Sequence, residues 1–270
     1  MTQLWPISLI TFKEGVRNRA IYGIFLMALM LLVSNFLFCS MIPREVGKVA
    51  VDIALSTVYF SGLLLVFFVG INLMAKDLDK RTIYMVISRP ISRPQYIIGK
   101  FFGMVFLIIA SILFLSIIAG LSIVLIKLSF PGYFPRFSWT AVLLAQSFSA
   151  LSLILLSALT FLFSSLTSSS FLTLVLTLIS YIIGRSSYDV KALVESTSAG
   201  GINPSPVLVK LVQLAYYLFP NLSVFDIKTQ AAHNLPLAPS YIVWCVLYGV
   251  VYTCLVVSIA ALLFRRREFP

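Results

Sequence analysis

The chain has 270 residues, 60% of them hydrophobic and 11% charged, with a mean hydropathy of +1.03. Soluble domains carry roughly a quarter charged residues, so a soluble globular enzyme is excluded. The net charge of +11 comes from basic residues placed beside apolar runs, where they set topology and meet phospholipid headgroups rather than nucleic acid.

Residues 2–19 predict an amphipathic helix. Trp5, Leu9, Phe12, Val16 and Ala20 fall on one stripe, and Lys13, Glu14, Arg17 and Asn18 fall opposite. Such a helix lies in the membrane interface. Lys13, Glu14, Arg17 and Arg19, with no small-residue cleavage site after a short apolar run, make it no cleavable signal.

Apolar runs long enough to cross a bilayer, about 20 residues each, predict six spans at about 20–41, 53–75, 101–126, 139–163, 168–184 and 241–264. The first ends before Pro43, and a short polar loop with Arg44, Glu45, Lys48 and Asp52 leads to the second. Residues 76–100 form the most charged segment of the chain. The third span ends at Lys127, before a turn-rich loop marked by Pro131-Gly132 and Pro135-Arg136. Ser164–Ser170 reads as a tight turn between spans four and five.

The character changes over 185–240, which holds Gly200-Gly201 and five prolines. Within it, residues 206–219 are apolar but too short to cross. They predict a re-entrant or interfacial helix on the extracytoplasmic side, closed by Pro220-Asn221. No internal repeat and no separate soluble domain interrupts what reads as one all-α, polytopic transmembrane domain.

Orientation follows from Lys and Arg in the short flanks. One side holds Lys13, Arg17, Arg19, Lys76, Lys80, Arg81, Arg89, Arg93, Lys100, Arg265, Arg266 and Arg267; the other holds Arg44, Lys48, Lys127 and Arg136. Twelve against four places both termini in the cytoplasm.

Chemistry-bearing clusters are absent from the sequence. There is one histidine, His233, and the three cysteines, Cys39, Cys245 and Cys254, have no metal-ligand spacing. No acid pair, nucleophile–base pair or phosphate-binding loop is present, so no catalytic residue, metal or cofactor is expected in this chain. No ionisable residue falls at the centre of a predicted span, which argues against proton or sodium coupling. Energy for any transport must then enter from outside.

The 76–100 loop is the place for that entry. Asp77, Asp79, Lys80, Arg81 and Thr82 precede Ile83, Val86 and Ile87 on one helical face, and Pro90 and Pro94 stop the helix. Charge alone fits a loop that merely obeys the positive-inside rule. The mixture of acids and bases and the paired prolines favour a short helix, about 79–88, that docks in a cleft of a soluble partner.

The order and spacing of several short motifs resemble the membrane subunit of type-2 ABC exporters, the ABC-2 permease group that includes permeases linked to copper-enzyme maturation and gliding. Phe12-Lys13-Glu14 with Arg17, Arg19 and Tyr22 is similar to the opening helix of that family. Arg81-Thr82-Ile83, Ser88-Arg89-Pro90-Ile91-Ser92-Arg93 and Gly99-Lys100 resemble its first cytoplasmic loop. Phe219-Pro220-Asn221-Leu222 with Phe225-Asp226 resembles the segment before its last span, and Phe264-Arg265-Arg266-Arg267-Glu268-Phe269 its ending. The 185–240 segment departs from the family by being longer and more polar.

The resemblance implies a coupling helix in the first cytoplasmic loop, docked on a separate ABC ATPase subunit that binds all the ATP and magnesium. Asp77, Asp79, Lys80, Arg81, Thr82, Ile83, Arg89, Pro90 and Arg93 would form that contact, with Glu14, Arg17 and Arg19 of the interface helix nearby. It further implies a homo- or heterodimer of permease chains in a bacterial or archaeal cytoplasmic membrane. The uncharged spans suit a hydrophobic or amphiphilic cargo better than a polyanion. Two other classes remain open: a non-transporting scaffold or sensor that docks an ATPase, and an intramembrane lipid-modifying enzyme, which would need polar clusters the sequence lacks.

The remaining features have plainer readings. Gly99 and Gly103 have the spacing of a close helix contact but sit at a span end, where such spacing is more often incidental. Trp139, Tyr241 and Trp244 fit an interfacial aromatic belt. Asn35, Asn72 and Gln146 are amides in or near the spans that could bond across helices or meet substrate at a dimer seam, with packing the favoured reading.

Overall fold

A computed structural model of the chain describes residues 4–41, 45–73, 92–134, 137–167, 169–199 and 206–266. Among these residues the chain is 91% helical with no strands. In order the helices are α1 (Leu4–Val16), α2 (Arg19–Met41), α3 (Val46–Leu64), α4 (Arg93–Ser129), α5 (Trp139–Leu166), α6 (Ser170–Ala199), α7 (Pro206–Leu218), α8 (Lys228–His233) and α9 (Pro239–Arg266). Helix α3 runs on through a π-helical segment, Leu65–Gly70, to Leu73.

Six of these helices are long and apolar enough to cross a membrane: α2, α3 with its extension, α4, α5, α6 and α9. The protein is an all-α, multi-pass membrane protein. The sequence placed all six near their observed positions but drew three of them short: α3 starts at Val46 rather than 53, taking in Lys48 and Asp52 of the expected loop, and α4 and α6 are also longer than expected. Helix α4 starts at Arg93, where Ser92 and Gln95 form a reciprocal capping box with Pro94 in the first turn. At 37 residues it is about 55 Å long and overshoots the hydrocarbon core of about 30 Å. Helix α6 continues well beyond residue 184, to Ala199.

Burial sorts the spans. The apolar segments of α3 and α5 are 72% and 67% buried, against 28% for α2, α6 and α9. Helix α4 touches α1, α2, α3, α5 and α9 and leaves its remaining face exposed. The outer helices carry exposed apolar rows, such as Leu26, Met30, Val33 and Leu37 on α2 and Leu113, Ile117, Leu121 and Leu125 on α4. At three- and four-residue spacing these rows are helix faces made for acyl chains.

Two polar side chains join neighbouring spans through backbone carbonyls. The Asn35 amide, fully buried on α2, donates to the Ala50 carbonyl of α3 at 3.0 Å, and Ser122 of α4 donates to the Leu32 carbonyl at 3.3 Å. Asn35 is thus a clasp between two spans rather than a mere packing amide.

Candidate functional site

Helix α1 meets the bundle mainly through small residues rather than its apolar stripe, of which Phe12 packs on the core and Trp5 meets Phe106 edge-on at 5.8 Å. Its buried residues are Ser8, Thr11 and Gly15, while Trp5, Leu9 and Val16 stay exposed. The partner surface is the start of α4. A methyl group on Gly99 would lie 2.8 Å from Ile7 Cγ2, one on Gly103 2.6 Å from Thr11 Cβ, and one on Gly15 2.5 Å from Leu107 Cδ2. Contacts at 7–99, 11–103 and 15–107 advance together, so the two helices run parallel for about two turns. The Gly99–Gly103 pair is therefore a close helix contact of the small-residue kind, and the incidental reading is corrected. The exposed stripe of α1 is left for lipid.

This packing brings the end of α1 beside the end of α3. Between them opens a cleft of about 800 Å³, with Lys13, Glu14, Arg17 and Arg19 on one wall and Asn72 and Leu73 on the other. Asn18 turns the chain between α1 and α2 by accepting a bond from the Ala20 amide at 3.0 Å. All three interface residues singled out from sequence, Glu14, Arg17 and Arg19, line this one cleft. Three cations and one carboxylate give it a net positive wall, suited to an acidic partner surface.

The cleft floor is fixed to the bundle. Lys100, 4% exposed, donates from Nζ to the Leu73 carbonyl and lies 5.3 Å from the Tyr96 ring centroid. Tyr96 stacks on Phe264 of α9 at 6.3 Å. The start of α4 is thereby tied to α1, to the end of α3 and to the end of α9. Arg93 opens α4 as its first residue. Asp77, Asp79, Lys80, Arg81, Thr82, Ile83, Arg89 and Pro90, with the short helix expected there, lie outside the described residues. The segment that carries them begins directly after Leu73.

Just before Leu73, the π-helical turns Leu65–Gly70 interrupt α3. A π segment holds an extra residue per turn with wider, weaker packing and recurs at functional sites. Here it lies on α4 at Gly70, where an added methyl group would be 3.0 Å from Met104 Cε, and on α6 at Phe67, whose ring meets Tyr181 edge-on at 6.2 Å. Nothing in the apolar sequence LVFFVG marks it, and the sequence reading missed it.

The far end of the molecule also differs from expectation. Residues 185–240 read as a polar loop with a short helix; instead α6 and α7 form a hairpin, and the chain after α7 folds back into the bundle. The Leu222 amide donates to the Gly184 carbonyl at 2.9 Å, and the Asn221 amide donates to the Tyr248 hydroxyl at 2.8 Å. Leu222, Phe225 and Ile227 are buried. Because α6 is longer than expected, Arg185 falls within its apolar span, Ser170–Val194. An ionisable group thus does enter a span. It is neutralised by Asp226, which also faces Lys228 at 3.7 Å, and both cations lie over the Tyr59 ring, Arg185 at 5.9 Å and Lys228 at 4.9 Å. Burial pushes the Lys228 ammonium below the ordinary lysine range, with Asp226 opposing.

The cysteines are free, Cys39 and Cys245 buried and Cys254 exposed, and no group of three potential metal ligands exists among the described residues. No family model matches the chain, and no curated protein gives a significant sequence match.

Proposed function

We propose that this chain is the membrane-spanning subunit of an ATP-driven exporter and docks a separate ATPase on the face that holds the α1–α3 cleft. The observation that carries the reading is the convergence of Glu14, Arg17 and Arg19 with Asn72 and Leu73, immediately before the segment with Asp79, Arg81 and Thr82. Positive-inside asymmetry puts that face in the cytoplasm, where a bacterial or archaeal ATPase would meet it. Two permease chains and two ATPase subunits would form the working unit, with the lipid-facing rows of α2, α6 and α9 available for the second chain.

The mechanism follows from what is tied to what. ATP and magnesium chemistry belongs to the partner. Closure of that partner moves the segment after Leu73, and the motion reaches α3 through its π-helical turns and α4 through the Lys100–Leu73 bond. Helix α1, locked on Gly99 and Gly103, moves with α4 as one lever.

The test is mild-detergent purification of the tagged chain from its native cell. Recovery of an ATP-binding subunit in the wild type, lost in a D79A/R81A/T82A variant that still folds, supports the reading. A chain that emerges alone under several mild conditions ends it.

A further inference from the structure

On the face opposite the cleft, α7 and the start of α9 enclose a groove of about 510 Å³, within the roughly 300–1,000 Å³ of small-ligand sites. Tyr216, Tyr217 and Phe219 form one wall; Tyr241, Trp244, Tyr248 and Tyr252 form the other. The tyrosine hydroxyls of the second wall are engaged with backbone. Tyr241 donates to the Val224 carbonyl at 2.7 Å, Tyr252 donates to the Leu218 carbonyl at 3.2 Å, and Tyr248 accepts from the Asn221 amide. What they present to the groove is ring carbon.

The groove follows α9 from Tyr241 to Tyr252, about 16 Å at 1.5 Å per residue, or half the hydrocarbon thickness. It is flanked by the exposed Val243, Leu247 and Val251. A cation lies against its α7 wall: Lys191 of α6 sits with Nζ 4.2 Å from the Tyr216 ring centroid. Lys210, exposed on α7, lies two turns before Tyr217 on the same helical face.

We infer that this groove is a binding site for an anionic phospholipid of the leaflet opposite the cleft, its acyl chain along the aromatic walls and its phosphate at Lys191. The neighbouring positive charge and the half-bilayer depth select this occupant over a soluble peptide, for which walls made mostly of ring carbon offer few polar partners. The inference stands apart from the ATPase reading.

The chain has three tryptophans, so W5F/W139F leaves Trp244 as the sole reporter in the groove. The full-length variant is reconstituted in phosphatidylcholine vesicles containing a low fraction of brominated-chain phosphatidylglycerol or brominated-chain phosphatidylcholine. Trp244 quenching should favour the glycerol lipid about fivefold, the contribution of one lysine near an anionic surface. K191Q should abolish the preference and K191R retain it, with unquenched Trp244 emission unchanged as the folding control. Equal quenching by the two lipids in the Lys191 protein marks ordinary annular lipid and overturns the site. A preference that persists in K191Q also overturns it.

Discussion

Changing Gly103 to valine tests the docking of α1, on which the cleft depends. Its Cβ would stand 2.6 Å from Thr11 Cβ and 2.7 Å from the Ser8 carbonyl oxygen. Normal carbon contacts are about 3.5–4.0 Å, so the helices must part by about 1 Å, and the backbone oxygen cannot rotate away. Overpacking of this kind costs about 1–3 kcal/mol, which raises the open fraction of α1 roughly 5- to 150-fold. A cysteine at Ser8, 2% exposed, reports the opening in a background lacking the three native cysteines. Maleimide should label S8C slowly in the Gly103 protein and faster by that factor in G103V. Labelling at Glu14, exposed in both states, should not change. Equal S8C rates in the two backgrounds would refute the parallel α1–α4 contact.

Three further outcomes follow from the tied ends. Asp226→Asn leaves Arg185 and Lys228 facing each other, whereas Arg185→Met leaves Asp226 its lysine; because the pair is only partly buried, D226N should cost about 1–2 kcal/mol, less than the 3–5 kcal/mol of a fully buried pair. R185M should cost less than D226N in thermal melting of the solubilised protein, and the reverse order would count against the triad. Lys100→Met removes the donor to the Leu73 carbonyl, so trypsin should cut within residues 76–93 faster than in the wild type; an unchanged rate would mean the bond does not hold the segment's base. Gly184→Ala places a methyl group 2.6 Å from the Pro220 carbonyl oxygen and should lower the melting temperature, while Gly23→Ala, inside α2 with open space around it, should not lower it and should raise it slightly.

The six spans were legible because hydrophobic length is a property of the sequence alone. The start of α4 was legible in part: Ser92-Arg93-Pro94-Gln95 contains a capping box, but the charges of the loop pulled the predicted span start to residue 101. The role of Gly99 and Gly103 depended on which helix lay against them, and no spacing rule names that partner. The stripe of α1 read as an interfacial face, and Trp5, Leu9 and Val16 are exposed accordingly; what the pattern did not mark was the side that meets the bundle. In a bilayer the apolar face turns to lipid, and small residues such as Ser8, Thr11 and Gly15 make the protein contact. The inward fold of residues 219–231 was hidden for a related reason. Asp226, Arg185 and Lys228 read as scattered loop charges, and only their meeting over Tyr59 lets that loop be buried. The π-helical turns of α3 left no mark in a uniformly apolar run.

The most direct test places a photo-crosslinking amino acid at Glu14, in the cleft, or at Glu45, in the turn before α3 on the opposite face, in the native cell. The account predicts a crosslink from position 14 to a soluble ATP-binding protein and none from position 45. A crosslink from position 45 alone would invert the topology, and neither position trapping an ATPase would contradict the docking face itself.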